Sequence, residues 1–191
     1  MSLGRALLIA LVCACSTRAS ASQTPRPIDA AHSTVTVYVY KSGLFSVFAD
    51  NHVIRAPLAS GNISTEAPLS IRITVRAGDL QVLDPNLPAD ERSEVQARML
   101  GPEVLDAARF PEITFVSADI TPAGPDAWNA TGQLTIHGQT RTTTVHAVLQ
   151  NGRYHGTVTI RQRDFGIEPI RVAGGTVKVK DELKIEFDVA Q

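Results

Sequence analysis

Apolar and polar residues alternate through most of the chain. From Thr34 to Val39 the order Thr-Val-Thr-Val-Tyr-Val sets Val35, Val37 and Val39 on one side, the period-2 signature of a half-buried strand. The pattern recurs where Ile71, Ile73 and Val75 interleave with Arg72, Thr74 and Arg76. It returns at Ile113 and Phe115, at Leu134 and Ile136, at Val158 and Ile160, and along Leu183, Ile185, Phe187 and Val189. Gly124-Pro125-Asp126, Gly138-Gln139, Asn151-Gly152 and Gly174-Gly175 punctuate the gaps as turns. Many short strands with this spacing predict an all-β, antiparallel sandwich or barrel. One interruption is helical. Val95 and Met99 lie four apart on one face of Asp90–Leu100, and after Gly101-Pro102 the residues Val104, Leu105 and Ala108 predict a second short helix, so the insertion runs over about 90–108.

With Gly138-Gln139 and Asn151-Gly152 as two-residue turns, Leu134 faces Thr143, Gly132 faces Val145, and Val145 faces Val158. That register puts Gly132, Leu134, Ile136, Val145, Ala147, Leu149, Tyr154, Gly156, Val158 and Ile160 on one face. The other receives Thr131, Gln133, Thr135, His137, Thr142, Thr144, His146, His155, Thr157 and Thr159. So clean a split means one buried face and one wet face. Gly132, Ala147 and Gly156 lie side by side on the apolar face, and two readings are open: they make room for larger neighbours, or they leave an apolar channel inside a barrel.

Composition narrows the classes. Among 191 residues, 18 are Lys or Arg and 19 Asp or Glu, a balance that offers no electrostatic footprint for nucleic acid. Arg5, the apolar run Ala6–Cys15 and then Ala19-Ser20-Ala21 have the order of a cleaved export signal, and the run is too short for a permanent span. The expected organisation is a signal peptide over 1–21, a linker over 22–27 and one domain over 28–191, with a periplasmic or secreted location and a mature start at Ser22. Both cysteines, Cys13 and Cys15, fall inside the signal, so the mature domain is expected to rely on its core and not on a disulfide. In a less favoured route, Val12-Cys13-Ala14-Cys15 acts as a lipoprotein box, with Cys15 lipidated and Ser16–Pro27 as a tether.

The candidate chemistry is sparse. Asp50 and His52 are two apart and would share a strand face, where the acid orients the imidazole as a base or joins it on a metal. No third ligand or nucleophile accompanies them, which favours a hydrogen-bonded pair at the barrel mouth. His137, His146 and His155 recur every nine residues. In the register above His146 opposes Thr131, leaving His137 about 20 Å away along the strand, which excludes a three-histidine metal centre. His146 and His155 read as a solvated diagonal pair. Arg163 and Asp164, beside Phe165 and Gly166, suggest either a clamp for a polar head or, preferably, a structural ion pair. Asn62-Ile-Ser64 and Asn129-Ala-Thr131 are formal glycosylation sequons, meaningful only in a eukaryotic secretory pathway.

The segments Glu103-Val-Leu-Asp-Ala-Ala-Arg-Phe-Pro-Glu-Ile-Thr-Phe-Val-Ser117, Thr131-Gly-Gln-Leu-Thr-Ile-His-Gly138 and Arg163-Asp-Phe-Gly-Ile167 resemble, in order and spacing, the motifs of the YceI-like family. With the opening Asp29-Ala-Ala-His-Ser33 the resemblance covers essentially Ile28 to the C-terminus. Two places depart from it. Asp90-Glu91-Arg92-Ser93 stands where many members open the helix with an Arg-Asp pair and a His-Leu, and Asp50 stands at the first position of a His-x-His found in one subgroup. The resemblance implies an exported, lipocalin-like antiparallel β-barrel with a helix, holding an isoprenoid or similar long-chain amphiphile in an apolar tunnel.

On that reading the protein is a non-catalytic binding protein with no cofactor, metal or nucleic-acid partner. Contact with a membrane surface for ligand exchange is left open. The expected pocket wall is Val35, Val37, Phe45, Phe48, Ile73 and Phe115, with Leu134, Ile136, Val145, Val158, Ile160 and Phe165. Two alternatives stand beside it: a hydrolytic or metal-dependent enzyme using Asp50 and His52, and a stress-related interaction module with a filled core.

Overall fold

A computed structural model describes residues 25–42, 51–172 and 177–191. The expected signal peptide, the start of the linker, Phe45, Phe48, Asp50 and the Gly174-Gly175 turn lie outside the described residues. Twelve strands occur among those described: β1 (Arg26–Pro27), β2 (Asp29–Ser42), β3 (His52–Arg55), β4 (Leu58–Ser64), β5 (Ser70–Arg76), β6 (Gln81–Val82), β7 (Glu112–Gly124), β8 (Ala127–Ile136), β9 (Gln139–Gln150), β10 (Arg153–Arg161), β11 (Arg171–Val172) and β12 (Val177–Ala190). Among the described residues one α-helix, α1, spans Ala89–Leu100.

The strands form one antiparallel sheet in the order β1-β4-β5-β7-β8-β9-β10-β12-β2-β3-β6, with β11 beside β12. The sheet curls into a barrel because each long strand carries an apolar inner row, and twisted antiparallel neighbours bury that row by wrapping round a common interior. The curl brings β2 close to β4, and the Ala56 N–H, in the link from β3 to β4, extends the β2–β3 ladder by donating to the Val35 carbonyl at 2.9 Å. Arg26 and Pro27, assigned to the linker from sequence, pair with Ile63 and Asn62 of β4.

The register corrects one turn. The β8–β9 connection is His137-Gly138, with φ of +50° and +70°, and not Gly138-Gln139. Leu134 therefore faces Arg141, Gly132 faces Thr143 and Ala130 faces Val145. A slip of two residues leaves the strand side chains on their expected faces, but His137, expected on the outer face, moves into the turn. On the outer face Thr131 meets Thr144, and Thr135 meets Thr140, hydroxyl to hydroxyl at 2.9 Å in each pair. The choice of turn has a packing cause: the Phe110 ring lies against His137, centroids 4.6 Å apart, and occupies the space where a side chain on Gly138 would begin, 2.5 Å from its Cβ position. The second turn is Asn151-Gly152 as expected, with Arg153 opposite Gln150.

The second short helix does not form. After Gly101 the chain makes successive turns through Arg109, with Asp106 at φ +42° accepting at its carbonyl from the Arg109 and Phe110 amides, 2.9 Å each. A left-handed residue in the middle of the segment interrupts helical hydrogen bonding.

α1 protects the margin of the sheet. Gln96 extends across to β6, its Oε1 accepting from the Val82 N–H at 2.8 Å and its Nε2 donating to the Leu80 carbonyl at 2.7 Å, so one side chain replaces a missing neighbouring strand. Gln96→Ala leaves both backbone groups without these partners. We expect a loss of about 1–3 kcal/mol in urea unfolding, and an unchanged midpoint would show that solvent replaces the side chain at no cost.

Candidate functional site

The inner rows of these strands do not meet. They enclose a cavity of about 700 Å³, within the range of small-molecule sites. The register gives the barrel two ends. One carries the His137-Gly138 turn, Glu112 and the facing pair Lys178 and Ser42; the other carries the Asn151-Gly152 turn, Asp126 and the facing pair Ala190 and Asp29.

Val35 and Val37 of β2, Ile73 of β5, Phe115 of β7, Leu134 and Ile136 of β8, Val145 of β9, Val158 and Ile160 of β10, and Phe165 all line this cavity. Further wall comes from Ile54, Leu58 and Ile63 on β3 and β4, from Leu183, Ile185 and Phe187 on β12, and from Val95 and Met99 on α1. Trp128 and Tyr154 lie toward the Asn151-Gly152 end as an edge-to-face pair, centroids 6.0 Å apart, and burial pushes the Tyr154 phenol above its ordinary pKa.

The small residues divide between the two readings. A Cβ on Gly132 would lie 2.3 Å from the Val116 carbonyl oxygen, and one on Gly156 would lie 2.2 Å from the His146 carbonyl and 2.3 Å from the Phe187 ring. Both glycines thus make room for neighbours. Ala147 alone of the three lines the cavity.

At the other end His52 lines the wall, and its side-chain partner among the described residues comes from a distant part of the chain. Its Nδ1 is 2.6 Å from Oδ2 of Asp84, whose Oδ1 accepts from the Val53 N–H at 2.8 Å. Asp84 is 5% exposed, a buried carboxylate with both oxygens engaged. Sequence reasoning missed Asp84 because 32 positions separate it from His52; its only signal is an acid directly after the Val82-Leu83 run.

The three sequence motifs meet in space and serve the scaffold. Phe110 packs on His137, His137 Nδ1 lies 3.3 Å from the Phe165 carbonyl, and Gly166 follows in the left-handed region at φ +73°. Arg163 pairs with Glu168 at 3.3 Å and Asp181 at 3.9 Å instead of Asp164. His146 contacts Asn129 at 2.9 Å, and His155 lies 3.7 Å from Asp188. Among the described residues no group of three or more His, Cys, Asp or Glu is placed to hold a metal.

The model of the YceI-like domain matches residues 27–191 of this chain. A UPF0312 protein of Pseudomonas savastanoi pv. phaseolicola is 34% identical over 100 residues, 47% of this chain and 50% of that protein; the chain thus spans about half the length of this curated relative. A UPF0312 protein of Shewanella sp. (strain ANA-3) is 28% identical over 176 residues, 83% of each chain. The crystal structure of Burkholderia cenocepacia BcnA superposes with a TM-score of 0.67 at 23% identity, covering 85% of this chain and 98% of that one. A polyisoprenoid binding domain from Saccharophagus degradans superposes with a TM-score of 0.58 at 15% identity, covering 87% and 97%. At these identities the structural likeness establishes the fold.

Proposed function

Because the chain belongs to the YceI-like family, its domain model matching residues 27–191, we propose that it is an exported, non-catalytic binding protein. It encloses the tail of an isoprenoid or similar long-chain amphiphile inside the barrel. The observation that carries this reading is the unfilled cavity of about 700 Å³ with a wall of aliphatic and aromatic side chains. Such a wall hides hydrocarbon from water at about 0.8 kcal/mol per buried CH₂, so affinity grows with tail length and needs few polar contacts. The family supports the same class of ligand, as does the polyisoprenoid binding named for the Saccharophagus domain. Exchange of ligand at a membrane surface and a periplasmic or secreted location complete the proposal. A filled-core interaction module fits less well, since the core is not filled.

The chain has one tryptophan, Trp128, and it lines the cavity. Its fluorescence therefore reports occupancy directly. Delipidated protein titrated with geranylgeraniol, a C20 prenol, should show a saturable change at about one molecule per chain, and the C5 prenol 3-methyl-2-buten-1-ol should show none at the same concentration. Equal responses to the two alcohols, or none to either, would contradict burial of a long tail.

A further inference from the structure

We propose that His52 anchors the polar head of the ligand and that Asp84 selects which head it takes: an uncharged hydroxyl, of an alcohol or a phenol. The tail then runs from His52 toward Trp128 and Tyr154. This rests on the tunnel reading above and adds an orientation and a head-group class to it.

The chemistry starts from Asp84. A carboxylate accepts hydrogen bonds and has none to give, and here one oxygen takes the Val53 N–H at 2.8 Å while the other lies 2.6 Å from His52 Nδ1. Nδ1 must therefore carry the proton. Which nitrogen of a histidine is protonated is set by the partner of the other, so Nε2 of the neutral ring is left with a lone pair. Among the described residues the side-chain hydrogen bond of His52 runs through Nδ1, and Nε2 has no partner among them. The His52 side chain is 24% exposed on the cavity wall, so a ligand O–H can take this lone pair in place of water. An ether or ester oxygen cannot donate, and a bare hydrocarbon leaves the nitrogen unmet.

Charge argues against an anionic head. The charged groups lining the cavity are Lys41, Lys178 and Arg98 together with Glu91 and Glu94; Arg98 lies 3.6 Å from Glu103, and Arg161 and Arg163 beside Lys178 pair with Glu182, Glu168 and Asp181. Mixed signs give no single-signed field to draw in a phosphate or carboxylate. The opposite end holds a second candidate, the Tyr154 phenol, so the test must separate the two.

The experiment uses the delipidated mature protein and Trp128 fluorescence, with four C20 probes of common skeleton: geranylgeraniol, its methyl ether, geranylgeranyl phosphate and the hydrocarbon phytane. Wild type should bind the alcohol about threefold to tenfold more tightly than the ether, the size of one net hydrogen bond. His52→Phe should remove that discrimination. Asp84→Asn is the sharper variant: its amide NH₂ donates to Nδ1 and moves the ring proton to Nε2, so the ether, an acceptor, should bind more tightly than it does to wild type. Failure of Asp84→Asn to fold leaves His52→Phe as the deciding variant. Equal binding of alcohol and ether by wild type, tightest binding of the phosphate, or loss of discrimination in Tyr154→Phe with His52→Phe unaffected would each overturn the assignment, while phytane binding keeps the tunnel reading intact. Binding of none of the four probes would overturn both.

Discussion

Val145→Trp should remove at least nine-tenths of the bound C20 prenol while the barrel still folds. Val145 faces Ala130 across β8 and β9, midway along the inner row, so an indole placed there projects into the space a tail would occupy. Overpacking of this kind costs about 1–3 kcal/mol. Far-ultraviolet circular dichroism should keep its strand signal, and extraction followed by mass spectrometry should find the lipid gone. Normal occupancy in a folded variant would show that the ligand does not pass Val145.

Phe165→Ala should produce the largest loss of stability among single changes to the wall. Its side chain is 2% exposed, and its carbonyl receives His137 at the end where Phe110 and Gly138 also meet. Deleting a buried phenyl ring typically costs about 3–5 kcal/mol. In a domain of this size that lowers the melting temperature by about 6–20 °C. A drop of less than about 1 kcal/mol would mean that the His137 turn closes this end without the ring.

The alternation of apolar and polar residues made the strands and their inner faces legible, because the sheet is wet on one side and a period of two then maps onto burial. Val35, Val37, Ile73, Phe115 and Leu134 could be assigned to one interior on that ground alone. Pairing was less legible. Gly138 sits beside two possible partners in a two-residue turn, and the choice of His137 depends on Phe110, 27 positions earlier, packing over the turn. β3 and β4 were missed because His52–Arg55 is only four residues long and β4 carries Gly61 and an irregular register between Leu58 and Ser60. The His52–Asp84 pair was illegible for a different reason. A local reading offers His52 only Asp50, which lies outside the described residues, whereas the antiparallel pairing of β3 with β6 brings in an acid from just beyond β6.

Native mass spectrometry of the protein purified from the cells that make it decides whether the barrel encloses a long apolar tail. One adduct per chain, of lipid mass, is expected to survive gentle ionisation, to disappear after solvent extraction and to be missing from Val145→Trp. A bare mass in wild type under conditions that preserve a control lipid complex, or an adduct that persists unchanged in a folded Val145→Trp, would contradict that enclosure.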